Sequence, residues 1–451
     1  MYDLIILGAG PAGYYAAEKA AEAGMSVVLI EKSFLGGVCL NEGCIPSKTL
    51  LYSSKLFKQA KISENFGVIA PDVSFNMSTV ISRKEKIVST LRNGIAFTLK
   101  KNSVVVEPGN GIILPKQNDV FNVRVGEKIV EARRLLICTG SEPVVPPIPG
   151  AQQPFVVTNK EILSSDSLPK NLVVIGGGAI GLEMACFFVE TGSTVTVVEL
   201  LPSIAGNIDN EISQLLKKEL EKTGIRFLLK ARAAEIGDKT VVVESDGARS
   251  AVPADIVLMS VGRKPITRGF GLEDLGVAIE NNGIKTDARG RTNVSGVWAA
   301  GDVNGVSMLA HTAYREAQVC IDDMAGKTGA VNYDAVPLVI YTHPEVACVG
   351  LTEEEAGRRG LSVVASKLPL SYNGRFYAEN EGGKGICKAV IDKSTKTLVG
   401  LHMVGGSCSE IIYGAAAMIE NKQTVEDIRK IVFPHPTVSE IIKDTVLQTR
   451  F

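Results

Sequence analysis

The chain reads as an α/β protein: two Rossmann-like dinucleotide-binding domains, then an α+β C-terminal domain. Three observations give that fold class. A strand, glycine turn, helix, strand and terminal acid follow one another near the N-terminus, and the same series returns from Asn171 to Glu199. The 451 residues are too many for one core, because chains beyond about 250–300 residues divide into domains. After about Tyr333 the glycine fingerprints stop, and strands alternate with two helices.

In order, Tyr2 to Leu7 is an apolar first strand, followed by Gly8-Ala9-Gly10-Pro11-Ala12-Gly13, an alanine-rich helix, and the strand Ser26 to Ile30 ending in Glu31. Asn171 to Ile175 precedes Gly176-Gly177-Gly178-Ala179-Ile180-Gly181, a second helix, and Thr194 to Val198 ending in Glu199. Both acids stand 23 positions after the first glycine, Gly8 to Glu31 and Gly176 to Glu199. In such a turn the three glycines serve a tight bend, close approach of backbone to a pyrophosphate, and close helix–strand packing. The unpaired N–H groups of the helix start then meet the phosphates. One such fingerprint is a weak signal; two complete units are a strong one.

Leu135 to Ser141 reads as a buried strand entering a glycine turn, and the proline-rich crossing Pro143 to Pro149 as a domain boundary. Ile256 to Arg263 ends the second unit, and Val297 to Asp302 is expected to return to the first. The expected division is 1–145 (first dinucleotide domain), 146–264 (second), 265–332 (a segment completing the first) and 333–451 (a separate C-terminal domain).

Composition narrows the partners. Hydrophobic residues make up 45% and charged residues 22%, the balance of a globular chain. A net charge of −1 gives no basic surface for nucleic acid or anionic lipid. No stretch approaches the roughly 18 apolar residues of a membrane span, and Met1-Tyr2-Asp3 is unlike the positive start of a signal peptide. The expectation is a cytoplasmic protein, or an organelle-matrix one after loss of a transit peptide. Eight cysteines without Cys-x-x-Cys or zinc spacing predict no metal.

Leu35 to Lys48, with Cys39 and Cys44, is the most informative segment. Five positions of regular helix would separate two cysteines by about 7.5 Å along the axis, whereas a disulfide needs Cα atoms within about 4.4–6.8 Å. The pair therefore closes only where the helix start is distorted, which Gly43 permits, and Pro46 suits the first turn of a helix beyond it. Two inert buried cysteines are the common alternative. Against that, so short a loop gives little entropic stabilisation, and reversible exchange is the better reason for a bond, with Lys48 and the helix start able to lower a thiol pKa.

Cys39-Leu-Asn-Glu-Gly-Cys44-Ile-Pro-Ser-Lys48 resembles the active-site motif of the dihydrolipoyl dehydrogenases, within the flavin-dependent pyridine nucleotide disulfide oxidoreductases. The similarity runs on through Gly176 to Glu183, Val261 to Pro265, Gly301-Asp302, Met308 to His311 and Phe433 to Glu440, and so covers essentially the whole chain. The resemblance implies FAD and NAD as cofactors and a C-terminal dimerisation domain. It implies that Cys39 is the exposed interchange thiol and Cys44 the inner thiol in charge-transfer contact with flavin. Lys48 would lie beside the isoalloxazine, paired with Glu183. FAD would rest on Gly8, Gly10, Pro11, Ala12 and Gly13, with Glu31 on a ribose, and with Lys32, Gly37, Val38, Gly111, Thr139, Gly140 and Ser141 as further contacts. Gly301 and Asp302 would bind the ribityl or phosphate region, with Met308, Leu309 and Ala310 along the far flavin edge and His311 shaping the pocket or an interface. Gly176, Gly178, Ala179, Ile180 and Gly181 would carry NAD, with Val261, Gly262 and Arg263 among the later cofactor contacts.

Glu199 predicts NAD over NADP, since a carboxylate accepts from both ribose hydroxyls and repels a 2′-phosphate. No arginine cluster follows it, unlike the glutathione-type reductases; nor does Arg450-Phe451 end in the extra cysteine pair of mercuric reductases. Of four histidines, His435 alone has proline on both sides and an acid, Glu440, five positions on. Imidazole is a natural proton carrier for thiol exchange, and a carboxylate fixes its tautomer. By resemblance the His435–Glu440 dyad comes from the partner subunit, so a homodimer is expected, with His343 and His402 structural. The chain starts on its flavin strand and carries no lipoyl domain, so the expected partner is a lipoyl-bearing carrier protein of a multienzyme complex. A flavoprotein serving mainly as a scaffold or redox sensor is the non-enzymatic alternative, disfavoured by the intact cysteine, lysine, histidine and glutamate set.

Overall fold

The computed structural model describes residues 1–116 and 119–451. The first sheet is built from β1 (Tyr2–Leu7), β2 (Val27–Glu31), β3 (Val105–Pro108), β4 (Gly111–Ile113), β5 (Phe121–Val125) and β6 (Lys128–Ile137), in the order β3-β2-β1-β6-β5-β4. Leu4, Ile5 and Ile6 are fully buried. A run apolar on both faces fits only a covered central strand, and β1 pairs in parallel with both β2 and β6. The short β7 (Ser141–Pro143) lies beyond β6. Helices α1 (Pro11–Glu22), α2 (Gly37–Glu42), α3 (Cys44–Lys61) and α4 (Met77–Lys101) complete this region.

In the second unit α5 (Asn159–Ile162), α6 (Ala179–Glu190) and α7 (Asn210–Lys222) accompany a sheet of order β11-β10-β9-β15-β8. These strands are β8 (Val156–Val157), β9 (Asn171–Ile175), β10 (Thr194–Val198), β11 (Arg226–Leu228) and β15 (Ile256–Met259). An antiparallel flap of β12 (Ala231–Gly237), β13 (Thr240–Ser245) and β14 (Ala248–Pro253) packs on it through Ile236, Val241 and Val243.

The chain then returns through β16 (Arg263–Pro265), β17 (Ile279–Glu280) and β18 (Gly283–Ile284) to β19 (Val297–Ala299) and α8 (Ala310–Met324). β19 adds in parallel to β6, with Val297 opposite Leu135. α8 lies on α1 through Ala313 and Ala317 against Ala12, Ala16 and Ala17, where small side chains allow close helix approach.

The last region holds β20 (Leu338–Ile340), β21 (Glu345–Gly350), α9 (Glu353–Arg358), β22 (Val363–Pro369), α10 (Gly374–Glu379), β23 (Ile386–Asp392), β24 (Leu398–Gly405), α11 (Cys408–Glu420), α12 (Val425–Lys430) and α13 (Glu440–Leu447). Its antiparallel sheet runs β20-β21-β24-β23-β22. Period-two alternation assigns the faces of β21: Ala347 and Val349 pack under α11 and α13, while Val346 and Cys348 join the core shared with the second unit.

Two expectations change. Five helices replace the two read from sequence; α9, α10 and α12 have six residues each, too few turns to display a 3.6-residue period. The apolar runs 135–141 and 256–263 are not continuous strands: β6 ends at Ile137 and β15 at Met259, and Gly140 (φ +73°) and Gly262 (φ +119°) bend the chain away.

Candidate active site

Cys39 and Cys44 are joined as a disulfide with Cα atoms 4.7 Å apart. The reach comes from a break rather than a bent helix: α2 ends at Glu42, Gly43 takes φ −148° and ψ −111°, and α3 restarts at Cys44. A Cβ on Gly43 would lie 3.1 Å from the Val38 carbonyl oxygen, a tight contact that disfavours a side chain there. Pro46 falls inside the first turn of α3 rather than ahead of it, where its missing N–H costs nothing. Asn41 ties the loop to itself by donating to the Leu35 and Gly37 carbonyls at 3.0 and 2.8 Å.

One turn further along α3, Lys48 Nζ lies 2.9 and 2.8 Å from the two Glu183 carboxylate oxygens and 4.3 Å from the Tyr341 ring centre. Glu183 is 6% exposed and Lys48 34%, so a buried carboxylate anchors a partly exposed lysine. The Tyr341 N–H donates to the same carboxylate at 3.1 Å, which brings the C-terminal region into the pair. Two turns along α6, Glu190 accepts from Ser54 (2.7 Å), Lys58 (3.2 Å) and His343 Nδ1 (2.8 Å). Burial alone would raise the Glu190 pKa, but His343, Lys58 and Ser54 outweigh it and hold the carboxyl below its ordinary value. Glu190 was not singled out in the sequence; its seven-residue spacing from Glu183, which places both on one helix face, was the available signal.

The two glycine turns are built alike. Gly8 (φ +96°) and Gly176 (φ +104°) turn against the backbone of Cys138 and Ser260, and a methyl on Gly13 or Gly181 would overlap the Gly8 or Gly176 carbonyl. The middle glycines differ: around Gly10 the nearest atom lies at 4.0 Å, and around Gly178 nothing lies within 4 Å. The outer glycines are thus explained by the chain's own packing, and the middle ones leave space for a close-approaching ligand. Neither α1 nor α6 has a side-chain cap, so their first N–H groups are free for phosphate. Each terminal acid folds back on its turn: Glu31 accepts from the Ala9 and Ser33 N–H at 2.6 and 2.8 Å, and Glu199 from those of Gly177 and Leu201 at 2.6 and 2.8 Å.

Asp302 is held by Ser141 Oγ at 2.5 Å, and Ser141 by Arg263, whose Nε and Nη2 lie 2.7 Å from its hydroxyl and carbonyl. Arg263 thereby joins the end of the second unit to the Asp302 turn. Buried Glu316, also missed in the sequence, accepts from the Gly301 N–H at 2.6 Å and from Tyr333 at 2.8 Å. Thr139 bonds the Ile266 carbonyl (2.7 Å), Gly111 packs its α-carbon toward Leu7 and Ile30, and His311 bonds the Pro337 carbonyl (2.7 Å). Met308, Leu309 and Ala310 lead into α8, with Leu309 as its N-cap. Lys32 and Val38 are exposed, and Pro11 and Ala12 open α1. Ile180 and Val261 are exposed apolar side chains beside the second glycine turn.

His435 Nδ1 lies 3.0 Å from Glu440, which also accepts the Thr437 N–H at 3.0 Å. The Thr437 N–H, then His435, hold the Glu440 carboxyl below its ordinary value. The His435 side chain is 82% exposed. Among the described residues no hydrogen bond joins it to the segment carrying Cys39 and Cys44.

A cysteine pair on a glycine break, set among two dinucleotide turns, defines a disulfide oxidoreductase working with two bound nucleotides. Residues 2–317 match the family model of the pyridine nucleotide-disulphide oxidoreductases, and 336–446 match that family's dimerisation domain. The chain belongs to the pyridine nucleotide-disulphide oxidoreductase family. It is 39% identical to the mitochondrial dihydrolipoyl dehydrogenase of Pisum sativum, over 99% of this chain and 91% of the pea protein. Among solved structures, LpdA from Mycobacterium tuberculosis superposes with a TM-score of 0.90 at 26% identity, covering 99% of each chain. The HOCl-induced flavoprotein disulfide reductase RclA from Escherichia coli superposes at 0.86 with 29% identity, over the full length of both. FAD and a pyridine nucleotide are the cofactors of this family, and the two open middle glycines with uncapped helix starts fit them. No helix among the described residues is long and apolar enough to cross a membrane.

Proposed function

We propose that this chain is a dihydrolipoyl dehydrogenase: as a homodimer it oxidises protein-bound dihydrolipoamide to lipoamide and reduces NAD⁺ to NADH. The observation that carries the reading is the closed Cys39–Cys44 pair one helical turn from a Lys48 whose ammonium is anchored by buried Glu183.

In this reading His435 of the partner subunit takes a thiol proton from dihydrolipoamide, and Glu440 keeps its Nδ1–H tautomer. The substrate thiolate attacks Cys39 Sγ, the Cys39–Cys44 bond breaks, and Cys44 leaves as a thiolate. The second substrate sulfur then displaces Cys39, which leaves as a thiol carrying the second proton, and closes the lipoamide disulfide, so two electrons have moved from substrate to the cysteine pair. Bound FAD and NAD⁺ supply the route by which those electrons leave. Gly8 to Gly13 with Glu31, and Gly176 to Gly181 with Glu199, would hold the two nucleotides; the remaining cofactor contacts inferred from resemblance belong to the same proposal.

The exposure of His435 and the lack of a bond to its own chain's cysteines support a site shared between protomers. The carrier would be a separate lipoyl-bearing protein of a 2-oxoacid dehydrogenase, glycine cleavage or acetoin system. Six free cysteines, all buried, suit a reducing compartment such as cytoplasm or organelle matrix. The test is lipoamide-dependent NADH oxidation by the flavin-loaded dimer. Cys44→Ser should abolish it while flavin stays bound; retained turnover rejects the scheme, and a wild-type enzyme inert toward lipoamide rejects the substrate.

A further inference from the structure

Among the described residues, one side chain of the second dinucleotide unit hydrogen-bonds the backbone of the redox loop. Asn159, the first residue of α5, is 6% exposed, and its Nδ2 donates to the Glu42 carbonyl oxygen at 2.7 Å across 117 positions of sequence. That carbonyl belongs to the Glu42–Gly43 peptide, the point at which α2 breaks from α3 so that the cysteines can meet. The other restraints on the break come from the loop itself: Gly43's carbonyl accepts from Ser47 N–H at 2.9 Å and Ser47 Oγ at 2.6 Å. α5 is a firm base despite its four residues, because Thr158 and Glu161 cap it reciprocally. The neighbouring Lys160 adds only a surface contact to the Glu42 carboxylate, at 3.2 Å with the lysine 63% exposed.

We infer that Asn159 is a positioning residue for the cysteine pair: its amide fixes the Glu42–Gly43 peptide in the orientation that closes the disulfide, and so helps set how readily the pair is reduced. The inference rests on the reading of Cys39–Cys44 as redox-active. On reduction the S–S bond takes two electrons from an external dithiol, whose own sulfurs join, and the freed thiols no longer oblige the loop to keep this orientation. A hydrogen bond made fully only in the closed loop favours the disulfide, and its loss favours the dithiol. A buried hydrogen bond of ordinary strength corresponds to about a fivefold change in equilibrium constant, or about 20 mV at ~30 mV per decade for a two-electron couple.

The test equilibrates flavin-loaded full-length protein, without pyridine nucleotide, in buffers of reduced and oxidised dithiothreitol, then traps and counts free thiols by alkylation and mass. Asn159→Ala should shift the midpoint about fivefold toward the dithiol. Asn159→Asp, of the same size but facing the carbonyl with a second acceptor, should shift it at least as far; Lys160→Ala should stay within twofold. Midpoints of both Asn159 variants within twofold of wild type overturn the inference, including the case where they only lower thermal stability. Should the alanine variant fail to fold, the aspartate variant decides by the same titration. A wild-type pair that never exchanges with dithiothreitol defeats the functional reading and this inference together, whereas normal wild-type exchange with unshifted variants defeats this inference alone.

Discussion

Replacing Glu440 by Gln removes the charge behind His435 and keeps a hydrogen-bond acceptor of the same shape. Imidazolium and carboxylate centres in a pair bonded at 3.0 Å stand about 4 Å apart, where attraction is ~1 kcal/mol in bulk water and ~4 kcal/mol at an effective dielectric of ~20. At ~1.4 kcal/mol per decade, removing it slows a step that needs protonated His435 by about fivefold in an exposed pair and about 10³-fold in a covered one. In the isolated protomer His435 is exposed, so the lower figure applies there. If a second protomer covers the dyad, lipoamide-dependent kcat should fall more than tenfold. The rate with an artificial one-electron acceptor, which involves no thiol proton, should hold. The Thr437 N–H, then His435, lower the Glu440 carboxyl below 4.5, so it is ionised at neutral pH and its contribution is lost only as pH falls through that lowered value. The titration of Glu440 itself should therefore add no step to the wild-type pH profile above about pH 5. A fall below fivefold, or an equal fall with both acceptors, would refute the proton role of the dyad.

Three further outcomes follow from the geometry. Gly13→Ala puts a methyl onto the Gly8 carbonyl, so the purified variant should lose bound flavin, read as the ratio of visible to ultraviolet absorbance. Glu199→Ala removes the acid that accepts the Gly177 and Leu201 N–H groups; NADH efficiency should drop about tenfold or more while NADPH efficiency does not, narrowing a preference that steady-state kinetics measures directly. Lys388→Ala strips buried Asp209 of its 2.9 Å partner across the boundary between the second unit and the C-terminal sheet, at a cost of about 3 kcal/mol, lowering the unfolding midpoint by several degrees. Burial opposes ionisation of Asp209, but Lys388 outweighs it and holds the carboxyl below 3.8. Its stabilisation is present above the unfolded value and disappears as pH falls through the folded one, so the wild-type advantage over Lys388→Ala should persist from pH 8 to 5 and shrink below about pH 4.

Local chemistry was legible in residue order because each requirement is met within a few positions. A positive φ at Gly8 and Gly176, an open middle glycine, and two cysteines flanking a helix-breaking Gly43 are choices of residue type at fixed spacing, and the α/β fold class follows from their repetition. The resemblance then supplied pairings such as Lys48 with Glu183 that spacing alone could not. What the sequence left unread was long-range. The addition of β19 to β6 was anticipated only as a return of the chain, and the anchoring of Glu190 by α3 and His343, the hold of Glu316 on Gly301, and the reach of Asn159 to Glu42 were not anticipated at all. Glu316 and Gly301 are 15 positions apart, and the other partners are more than a hundred apart. Which of many buried acids or amides faces which carbonyl is decided by how helices and sheets pack, a property of the assembled core that no local pattern encodes.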